Sequence, residues 1–325
     1  MKVLIVGAQG MLGQKLTDQL LACGTVAEKA IVSLKLVDVV QPQTPDSDEI
    51  QISAKTADLS QTGVASQLIE DKPDLIFHLA AIVSGEAERD MHKGYRINLD
   101  GTRELLEAIG AEHEKSGYCP KLIFTSSIAV YGIPLPNPID DEFHLTPLSS
   151  YGTQKAMCEL LLADYNRRGI VQGIGLRLPT ICIRPGLPNA AASGFFSNIL
   201  REPINGQSAI LPVEDTVRHW FASPRAAIGF FMHAASLEQD QIGMRCNFNL
   251  PGLSATVADQ IESLRTMIGS DAVALIKRKA DPLVASLVGG WPESFNPTRA
   301  IAMGFKAETS FDDIIQVYLD DDFRG

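Results

Sequence analysis

The chain has 325 residues, of which 45% are hydrophobic and 21% charged, the composition of a globular protein long enough to bury a full core. Its 28 basic and 39 acidic residues give a formal net charge of −11, which disfavours nucleic acid and anionic membranes as partners. Apolar runs stay below the ~20 residues of a membrane span, and the five cysteines are scattered, so we expect a cytoplasmic protein without a signal peptide, disulfide framework or metal site.

Short β-branched runs alternate with helical patterns through the first half of the chain. The predicted strands are residues 2–6, 31–39, 75–80, 122–127 and 173–178, and the predicted helices are residues 11–22, 97–111 and 156–165. Strands that alternate with crossover helices predict an α/β fold with a Rossmann-type, doubly wound parallel sheet.

The composition changes after residue 185, where prolines and glycines separate shorter elements. The predicted elements here are helices over 194–200, 256–268 and 310–319 and a strand over 209–213. We therefore expect one domain over 1–185, to which part of 216–250 adds sheet structure. Residues 186–325 are expected to form mainly a smaller C-terminal cap that binds the substrate.

Three glycines follow the first predicted strand and open the first helix. Such a turn needs glycine for a tight bend, for close approach of a pyrophosphate and for close packing of the helix on the strand. The free N–H groups of the helix N-terminus then bind the phosphates. Glycines occur in many turns, but their position between a buried strand and an amphipathic helix predicts a dinucleotide site. The predicted cofactor contacts in this segment are Gly7, Gln9, Gly10, Met11, Leu12 and Gly13.

Asp38 ends the second predicted strand, where a carboxylate accepts hydrogen bonds from the adenosine ribose and repels a 2′-phosphate. This position favours NAD over NADP, although a solvated turn aspartate is the alternative. Asp58 and the neighbouring Leu59 are predicted to contact the adenine, while Asp58 could equally cap the following helix.

Tyr151 and Lys155 are four residues apart, a spacing that puts both side chains on one face of a helix. A free tyrosine has a pKa near ~10 and is a poor base at neutral pH. A neighbouring ammonium group and the positive nicotinamide ring lower that pKa, so Tyr151 can take the proton of a substrate hydroxyl. Ser127 ends a buried strand one connection earlier and can donate to the substrate oxygen. Tyrosine–lysine pairs at this spacing are common on solvated helices. The prediction that this pair is catalytic therefore depends on its location after the buried strand, where sheet ligands bind.

Taken together, the motifs resemble the extended short-chain dehydrogenase/reductase family, the superfamily of sugar-nucleotide epimerases and dehydratases. The matching motifs are Gly7-x-x-Gly10-x-x-Gly13, Phe77-His78-Leu79-Ala80-Ala81, Asn98-x-x-Gly101-Thr102, Ser126-Ser127 before Val130-Tyr131-Gly132, and Tyr151-x-x-x-Lys155. The resemblance implies that Ser127 rather than Ser126 is catalytic and that Lys155 also holds the nicotinamide ribose. It implies that the cofactor is lined by Leu79, Ala80, Ala81, Asn98 and Pro179. For Asn98, a helix N-cap is the alternative.

The substrate is indicated by segments around residues 82–88, 183–198 and 217–225, which resemble the D-erythronate dehydrogenase branch of this family. That resemblance implies oxidation of a small sugar acid, D-erythronate, at C2 to the 2-keto acid with NAD. The expected substrate contacts, besides Ser127 and Tyr151, are Ser84, Asn189 and Ser193 for hydroxyls and Arg218 for the carboxylate. A surface ion pair is the alternative for Arg218, and turn or helix capping for Asn189 and Ser193.

Two other functions use the same motifs. A sugar-nucleotide epimerase or dehydratase would regenerate bound NAD in each turnover, and residues 126–131 lack the acidic pair that the family's dehydratases place there. A redox-sensing binding protein would commonly lose the tyrosine or the lysine. The resemblance also implies a homodimer, through the helices around residues 95–115 and 151–168. His78 and His219 are interpreted as structural.

Overall fold

The computed structural model describes residues 1–186 and 192–324. Its strands are β1 Lys2–Val6, β2 Thr25–Val26, β3 Lys29–Ala30, β4 Ser33–Asp38, β5 Gln51–Thr56, β6 Leu75–His78, β7 Lys121–Ser127, β8 Ile139–Asp140, β9 Gln172–Leu178, β10 Thr180–Ile181, β11 Ala209–Leu211, β12 Arg218–Ala222, β13 Asn247–Asn249, β14 Leu253–Thr256, β15 Ile276–Arg278 and β16 Phe295–Asn296. Its α-helices are α1 Met11–Cys23, α2 Val64–Ile69, α3 Ser84–Arg89, α4 Met91–Gly94, α5 Gly101–Ser116, α6 Ser150–Arg167, α7 Gly194–Ile204, α8 Pro224–Ser236, α9 Gln239–Ile242, α10 Val257–Met267, α11 Ser270–Ala274, α12 Pro282–Val288, α13 Thr298–Ala302 and α14 Phe311–Asp321. A π-helix, Tyr95–Asp100, precedes α5, and a 3₁₀ turn, Ile128–Val130, follows β7.

The chain divides into two compact units. The first unit comprises Met1–Ser127, Ser149–Arg177 and Ile228–Phe248, and the second comprises Ile128–Leu148, Leu178–Ala227 and Asn249–Gly325. The chain thus leaves the first unit after β7 and returns to it twice.

A seven-stranded sheet with the order β13-β9-β7-β6-β1-β4-β5 forms the centre of the first unit. The neighbouring strands β5, β4, β1, β6 and β7 all pair in parallel. From β1 the chain adds β4 and β5 on one side and then β6 and β7 on the other, so the strand order reverses between β1 and β6. This is the doubly wound, Rossmann-type order that the alternation of strands and helices predicts. β13, Asn247–Asn249, lies at one edge of this sheet, beside β9.

Burial explains which strands could be recognised. Residues Val3–Val6 of β1 are at most 2% exposed, and all of β6 is buried, as expected of strands covered on both faces. β5, at the edge, has mostly exposed polar side chains, and its apolar residues are half-buried. The sequence analysis missed this strand because it lacks the apolar run typical of a central strand.

The second unit has its own hydrophobic core. A three-stranded sheet, β10-β12-β14, lies at its centre, with β12 and β14 antiparallel. The large core side chains include Phe196, Phe221, Leu264, Phe311 and Ile314. Within the described ranges, no helix has both the length and the apolar character needed to cross a membrane.

Each unit buries one uncharged histidine. His219 lies parallel to Phe196 at 5.3 Å between ring centroids, with Nδ1 2.9 Å from the carbonyl oxygen of Pro292 and Nε2 2.7 Å from the hydroxyl of Thr180. Burial lowers the pKa of His219 to about 4. Burial, with a smaller contribution from the charge of Lys155, lowers the pKa of His78 to about 3. Both imidazoles are therefore neutral in the folded protein at neutral pH, in agreement with a structural role.

We predict that these histidines make the protein sensitive to acid. An imidazole in the unfolded chain binds a proton near pH 6.5, whereas folded His219 stays neutral down to about pH 4. Stability is therefore lost as the pH falls from 6.5 towards 4, by about 2 kcal/mol for each buried histidine at pH 5. His219→Phe should reduce the fall in melting temperature between pH 7 and pH 5. An equal reduction in His92→Gln, at an exposed position on α4, would contradict this explanation.

Candidate functional site

Gly7 and Gly13 are required by the packing of the turn itself. Gly7 has a φ of +95°, and a Cβ atom there would lie 2.6 Å from the amide nitrogen of Ala80. A Cβ atom on Gly13 would lie 2.2 Å from the carbonyl oxygen of Gly7 and 2.7 Å from Cα of Ala8. Both clashes are with backbone atoms, which cannot rotate away as a flexible side chain can. α1 therefore packs directly against the end of β1.

Gly10 is not restricted in this way. Its φ is −67°, and a Cβ atom would make only an ordinary contact, 3.5 Å from the carbonyl oxygen of Gly7. Gly10 is the N-cap of α1 and is exposed, and it offers no side chain to cap the first N–H groups of the helix. Neither the backbone angle nor the packing requires glycine here, so Gly10 leaves open space at the N-terminus of α1. A phosphate at the helix N-terminus fits it.

Asp38 lies beside this turn. Its Oδ2 accepts from the backbone N–H of Gln9 at 2.9 Å, and its Oδ1 accepts from the N–H of Val40 at 3.2 Å. A carboxylate has about four acceptor positions, so two remain for ribose hydroxyls. A turn aspartate that only faced solvent would not explain the bond to Gln9, which is 29 residues away. The geometry favours a nucleotide without a 2′-phosphate.

Asp58 and Leu59 make most of their contacts within the protein itself. Oδ1 of Asp58 accepts from both the N–H and the hydroxyl of Ser60, at 2.9 and 2.7 Å. This bond closes a local turn and does not cap α2, which begins only at Val64. The side chain of Leu59 is buried at 7% exposure. A contact with adenine, made by the second carboxylate oxygen of Asp58 and by the backbone, stays a prediction.

The loop after β6 lies against the glycine turn. The N–H groups of Leu79 and Ala80 both donate to the carbonyl oxygen of Val6, at 2.8 and 2.9 Å. Leu79, Ala80 and Ala81 are half-buried. They follow β6 where the strand order reverses, which is where open α/β sheets bind their ligands.

Asn98 lies within the π-helix and is 2% exposed. Its Oδ1 accepts from the N–H of Ile82 at 2.9 Å, and its Nδ2 donates to the side chain of Gln154 at 2.8 Å. Its backbone carbonyl accepts from the Thr102 hydroxyl and the Cys158 thiol. Asn98 is therefore not a helix N-cap, its side-chain amide is hydrogen-bonded within the protein, and a contact with the cofactor stays a prediction. Asn98 holds the loop that begins with Leu79.

α6 begins six residues earlier than predicted and places Tyr151 in its first turn. The hydroxyl of Ser149 accepts from the N–H of Gly152 at 3.1 Å and caps the helix. The N–H of Ser150 donates to the carboxylate of Glu88 at 2.9 Å. These bonds fix the helix end that carries the half-buried Tyr151.

Lys155 lies one turn further along α6 and is 2% exposed. Its Nζ donates to the carbonyl oxygen of Thr125 at 2.7 Å and lies 4.7 Å from the ring centroid of Phe124 and 5.8 Å from that of Tyr151. Burial lowers the pKa of Lys155 to about 8, while the nearby Cys158 and Glu159 act in the opposite direction. The ammonium form is therefore still present at neutral pH, close enough to stabilise negative charge on the phenol.

Ser126 and Ser127 have different surroundings. The hydroxyl of Ser126 is buried and donates to Oε1 of Glu159 at 2.5 Å, and the same carboxylate binds the guanidinium of Arg177 at 2.8 Å. Ser127, the last residue of β7, is half-buried. The structure thus gives Ser126 a structural partner, and the catalytic role of Ser127 stays a prediction. Neither Glu159 nor Arg177 was singled out from the sequence.

The predicted substrate residues are distributed over both units. Ser84 is half-buried at the start of α3 in the first unit. In the second unit, the hydroxyl of Ser193 accepts from Arg184 at 2.6 Å without capping α7. Asn189 lies outside the described residues, and Pro179 is buried directly after β9.

Arg218 begins β12 and is half-buried. Its guanidinium donates to the carbonyl and hydroxyl oxygens of Ser254 at 3.3 and 3.4 Å, both long hydrogen bonds. Both of these acceptors are neutral. The pKa of the nearby Asp259 is lowered mainly by the backbone N–H of Thr256, and the charge of Arg218 also contributes to lowering it. The surface ion pair that was the alternative for Arg218 is thus not formed in the part of the chain that the structure describes.

The comparisons with known proteins extend over nearly the whole chain. It is 45% identical to the D-erythronate dehydrogenase of Cupriavidus necator, over 99% of this chain and 98% of that protein. It is 42% identical to the D-erythronate dehydrogenase of Haemophilus influenzae, over 99% of this chain and all of that protein. It also resembles a crystal structure described as a nucleoside-diphosphate-sugar epimerase from Agrobacterium tumefaciens, with 57% identity and a TM-score of 0.97 over 99% of this chain and 94% of that chain.

The family model matches residues 3–221, which include the glycine turn, Asp38 and both residues of the tyrosine–lysine pair. That range contains the turn with room for a pyrophosphate and the buried ammonium beside a phenol. The chain belongs to the NAD dependent epimerase/dehydratase family and uses NAD as its cofactor.

Proposed function

We propose that this protein is an NAD-dependent dehydrogenase that oxidises D-erythronate at C2 to 2-keto-D-erythronate, with Tyr151 as the general base. The observation that carries the chemistry is the buried ammonium of Lys155 beside the Tyr151 ring, 5.8 Å from its centroid. The substrate assignment is supported by 45% and 42% identity to two D-erythronate dehydrogenases over 99% of the chain.

In the proposed reaction, Tyr151 takes the proton of the C2 hydroxyl while the hydride leaves the same carbon. NAD, when bound, supplies the ring that accepts this hydride. Lys155 keeps the phenolate stable enough to act as a base near neutral pH, and Ser127 donates a hydrogen bond to the oxygen that becomes the keto group. Proton and hydride together account for the two electrons and two hydrogens lost by the hydroxy acid.

The cofactor would be held by the turn after β1 and the loops after β4, β5 and β6. Gly10 leaves room for the pyrophosphate, and Asp38 accepts from the adenosine ribose. The proposed contacts are Gly7, Gln9, Gly10, Met11, Leu12, Gly13, Asp38, Asp58, Leu59, Leu79, Ala80, Ala81, Tyr151, Lys155 and Pro179. We place the enzyme in the cytoplasm, in keeping with its five free cysteines.

Recognition of the acid is assigned to Arg218, with Ser84, Asn189 and Ser193 reading hydroxyls. A guanidinium suits a carboxylate because its two parallel N–H groups match the two oxygens. Among the described residues, Arg218 donates long hydrogen bonds to neutral oxygens of Ser254, which a substrate carboxylate can replace as a stronger partner. The second unit is thus the part of the chain proposed to determine substrate specificity.

The first prediction is that purified enzyme with NAD and D-erythronate accumulates NADH, measured at 340 nm, whereas UDP-sugars yield none. Tyr151→Phe should lower kcat by roughly 10²- to 10⁴-fold, the usual contribution of a general base. Because Phe keeps the ring and loses only the hydroxyl, the Kd of this variant for NAD should rise far less than its kcat falls.

A nucleoside-diphosphate-sugar epimerase, as the Agrobacterium tumefaciens structure is described, would return the hydride to its substrate and accumulate no NADH. Epimer formation from a UDP-sugar without NADH would therefore overturn the proposed reaction. Full activity of Tyr151→Phe on D-erythronate would overturn only the role of the tyrosine.

For Arg218→Ala we expect a higher KM for D-erythronate, by roughly 10- to 100-fold, because a charge-assisted hydrogen bond contributes about 1.5–3 kcal/mol. The Kd for NAD should stay at the wild-type value. Arg278→Ala, which removes another arginine of the second unit that is paired with Asp215, is the control. Equal weakening of both ligands by Arg218→Ala would contradict the carboxylate role.

We further propose a homodimer formed through α5 and α6. Leu160 of α6 is 67% exposed and Met157, one turn before it, is 39% exposed, so this helix presents apolar surface that a second copy can cover. Leu160→Asp should convert the dimer to a monomer in light scattering. Leu283→Asp, at a 70% exposed position on α12, should leave the mass unchanged. A monomeric wild-type protein at micromolar concentration would refute the proposal.

A further inference from the structure

Gln154 lies on α6 between the two proposed catalytic residues Tyr151 and Lys155, but its side chain is completely buried. Among the described residues, its Nε2 has no hydrogen-bond partner. A buried amide N–H without a partner is unfavourable, and an apolar side chain of similar size would avoid that cost. The contribution of the glutamine is the hydrogen bond that the oxygen of the same amide accepts.

One backbone N–H group determines how the side-chain amides of Asn98 and Gln154 are oriented. The N–H of Ile82 points at the Asn98 side chain at 2.9 Å, so the atom that receives it must be Oδ1. Nδ2 of Asn98 is therefore the atom that faces Gln154, at 2.8 Å, and Gln154 must present its oxygen. Nδ2 also donates to the carbonyl of Ile82, although at 3.3 Å. Gln154 thus holds Asn98 in the one orientation that clamps Ile82.

Ile82 continues the loop of Leu79 and Ala80 that lies on the glycine turn. Both loop residues donate to the end of β1, and the amide nitrogen of Ala80 lies only 2.6 Å from where a Cβ of Gly7 would be. A displacement of Ile82 is therefore passed to backbone atoms that border the dinucleotide turn. We propose that Gln154 is a positioning residue for NAD, acting through Asn98 and Ile82 on the loop against the glycine turn.

Gly94 provides the space that this arrangement needs. A Cβ atom at residue 94 would lie 2.5 Å from Nε2 and 3.0 Å from Oε1 of Gln154. Alanine at this position therefore has to displace the amide that holds Asn98. Gly229 in α8 is a matched helical glycine, since a Cβ atom there meets nothing within 4 Å.

The test is the affinity of the enzyme for NAD, measured by calorimetry without substrate. Gln154→Met keeps the volume of the side chain and removes the acceptor, and we expect the Kd for NAD to rise roughly 3- to 10-fold, the size of one net hydrogen bond. Activity at saturating NAD should keep its wild-type kcat, because Tyr151 and Lys155 are unchanged. Gly94→Ala should raise the Kd as Gln154→Met does, and Gly229→Ala should not.

A double-mutant cycle separates positioning from a general loss of stability. If Gln154 acts through Asn98, then Gln154→Met adds nothing to the Kd of Asn98→Ala. An unchanged Kd in Gln154→Met and Gly94→Ala, or additive losses in the cycle, would overturn the proposal. It rests on the NAD-binding part of the proposed function and not on the substrate. Failure to oxidise D-erythronate with a shifted NAD affinity would refute the substrate and leave this role of Gln154 standing.

Discussion

Lys155 carries a positive charge into the interior of the first unit, and the arrangement of the reactive groups depends on how that charge is accommodated. Removing an ammonium group from water is unfavourable, which is why burial lowers the pKa of Lys155 to about 8. Several features stabilise the ammonium: the carbonyl of Thr125 and the ring face of Phe124, which contact it, and the nearby Cys158 and Glu159, which raise its pKa. Two of them belong to β7, so accommodating the charge also joins α6 to the strand that ends in Ser127.

Glu159 extends this connection one turn further along the same helix face. Its carboxylate accepts from Ser126 on β7 and from Arg177 on β9, so a single buried ion pair joins α6 to two strands of the sheet. Removing one partner of such a pair leaves the other charge buried without a partner, which typically destabilises the fold by about 3–5 kcal/mol. The hydrogen bond to Glu159 also gives Ser126 surroundings that the adjacent serine does not share. Alternation along the strand turns Ser126 towards Glu159 and leaves Ser127 on the other face.

The local sequence pattern was sufficient to predict those parts of the structure that are determined by neighbouring residues in the chain. The glycine turn, the parallel order of the sheet and the spacing of Tyr151 and Lys155 follow from periodicity and backbone sterics. β5 was missed because an edge strand needs no apolar run. The start of α6 was placed too late because Gly152 weakens the helical pattern in its first turn, although Ser149 is a recognisable N-cap.

The roles of other residues depend on tertiary contacts and could not be assigned from the local sequence pattern. The role of Asn98 depends on the π-helix around it and on Gln154, which is 56 residues away in the chain. Glu159 could have been found, since it continues the four-residue spacing of Tyr151 and Lys155. Its partner Arg177 lies on another strand, and no local signal connects the two.

The buried histidines bear on which group can act as the base. A histidine is the usual base at neutral pH, and both His78 and His219 lie in the part of the chain that the family motif covers. With pKa values of about 3 and 4, however, their neutral forms attract a proton only weakly. A base works best when its pKa is near the working pH, and burial moves both imidazoles away from it. The charge of Lys155 has opposite effects on its two neighbours: it disfavours a second positive charge on His78 and favours a negative charge on Tyr151. Burial, with a smaller contribution from Lys155, thus weakens His78 as a base, while the same ammonium favours the phenolate form, and both effects support the proposed role of Tyr151.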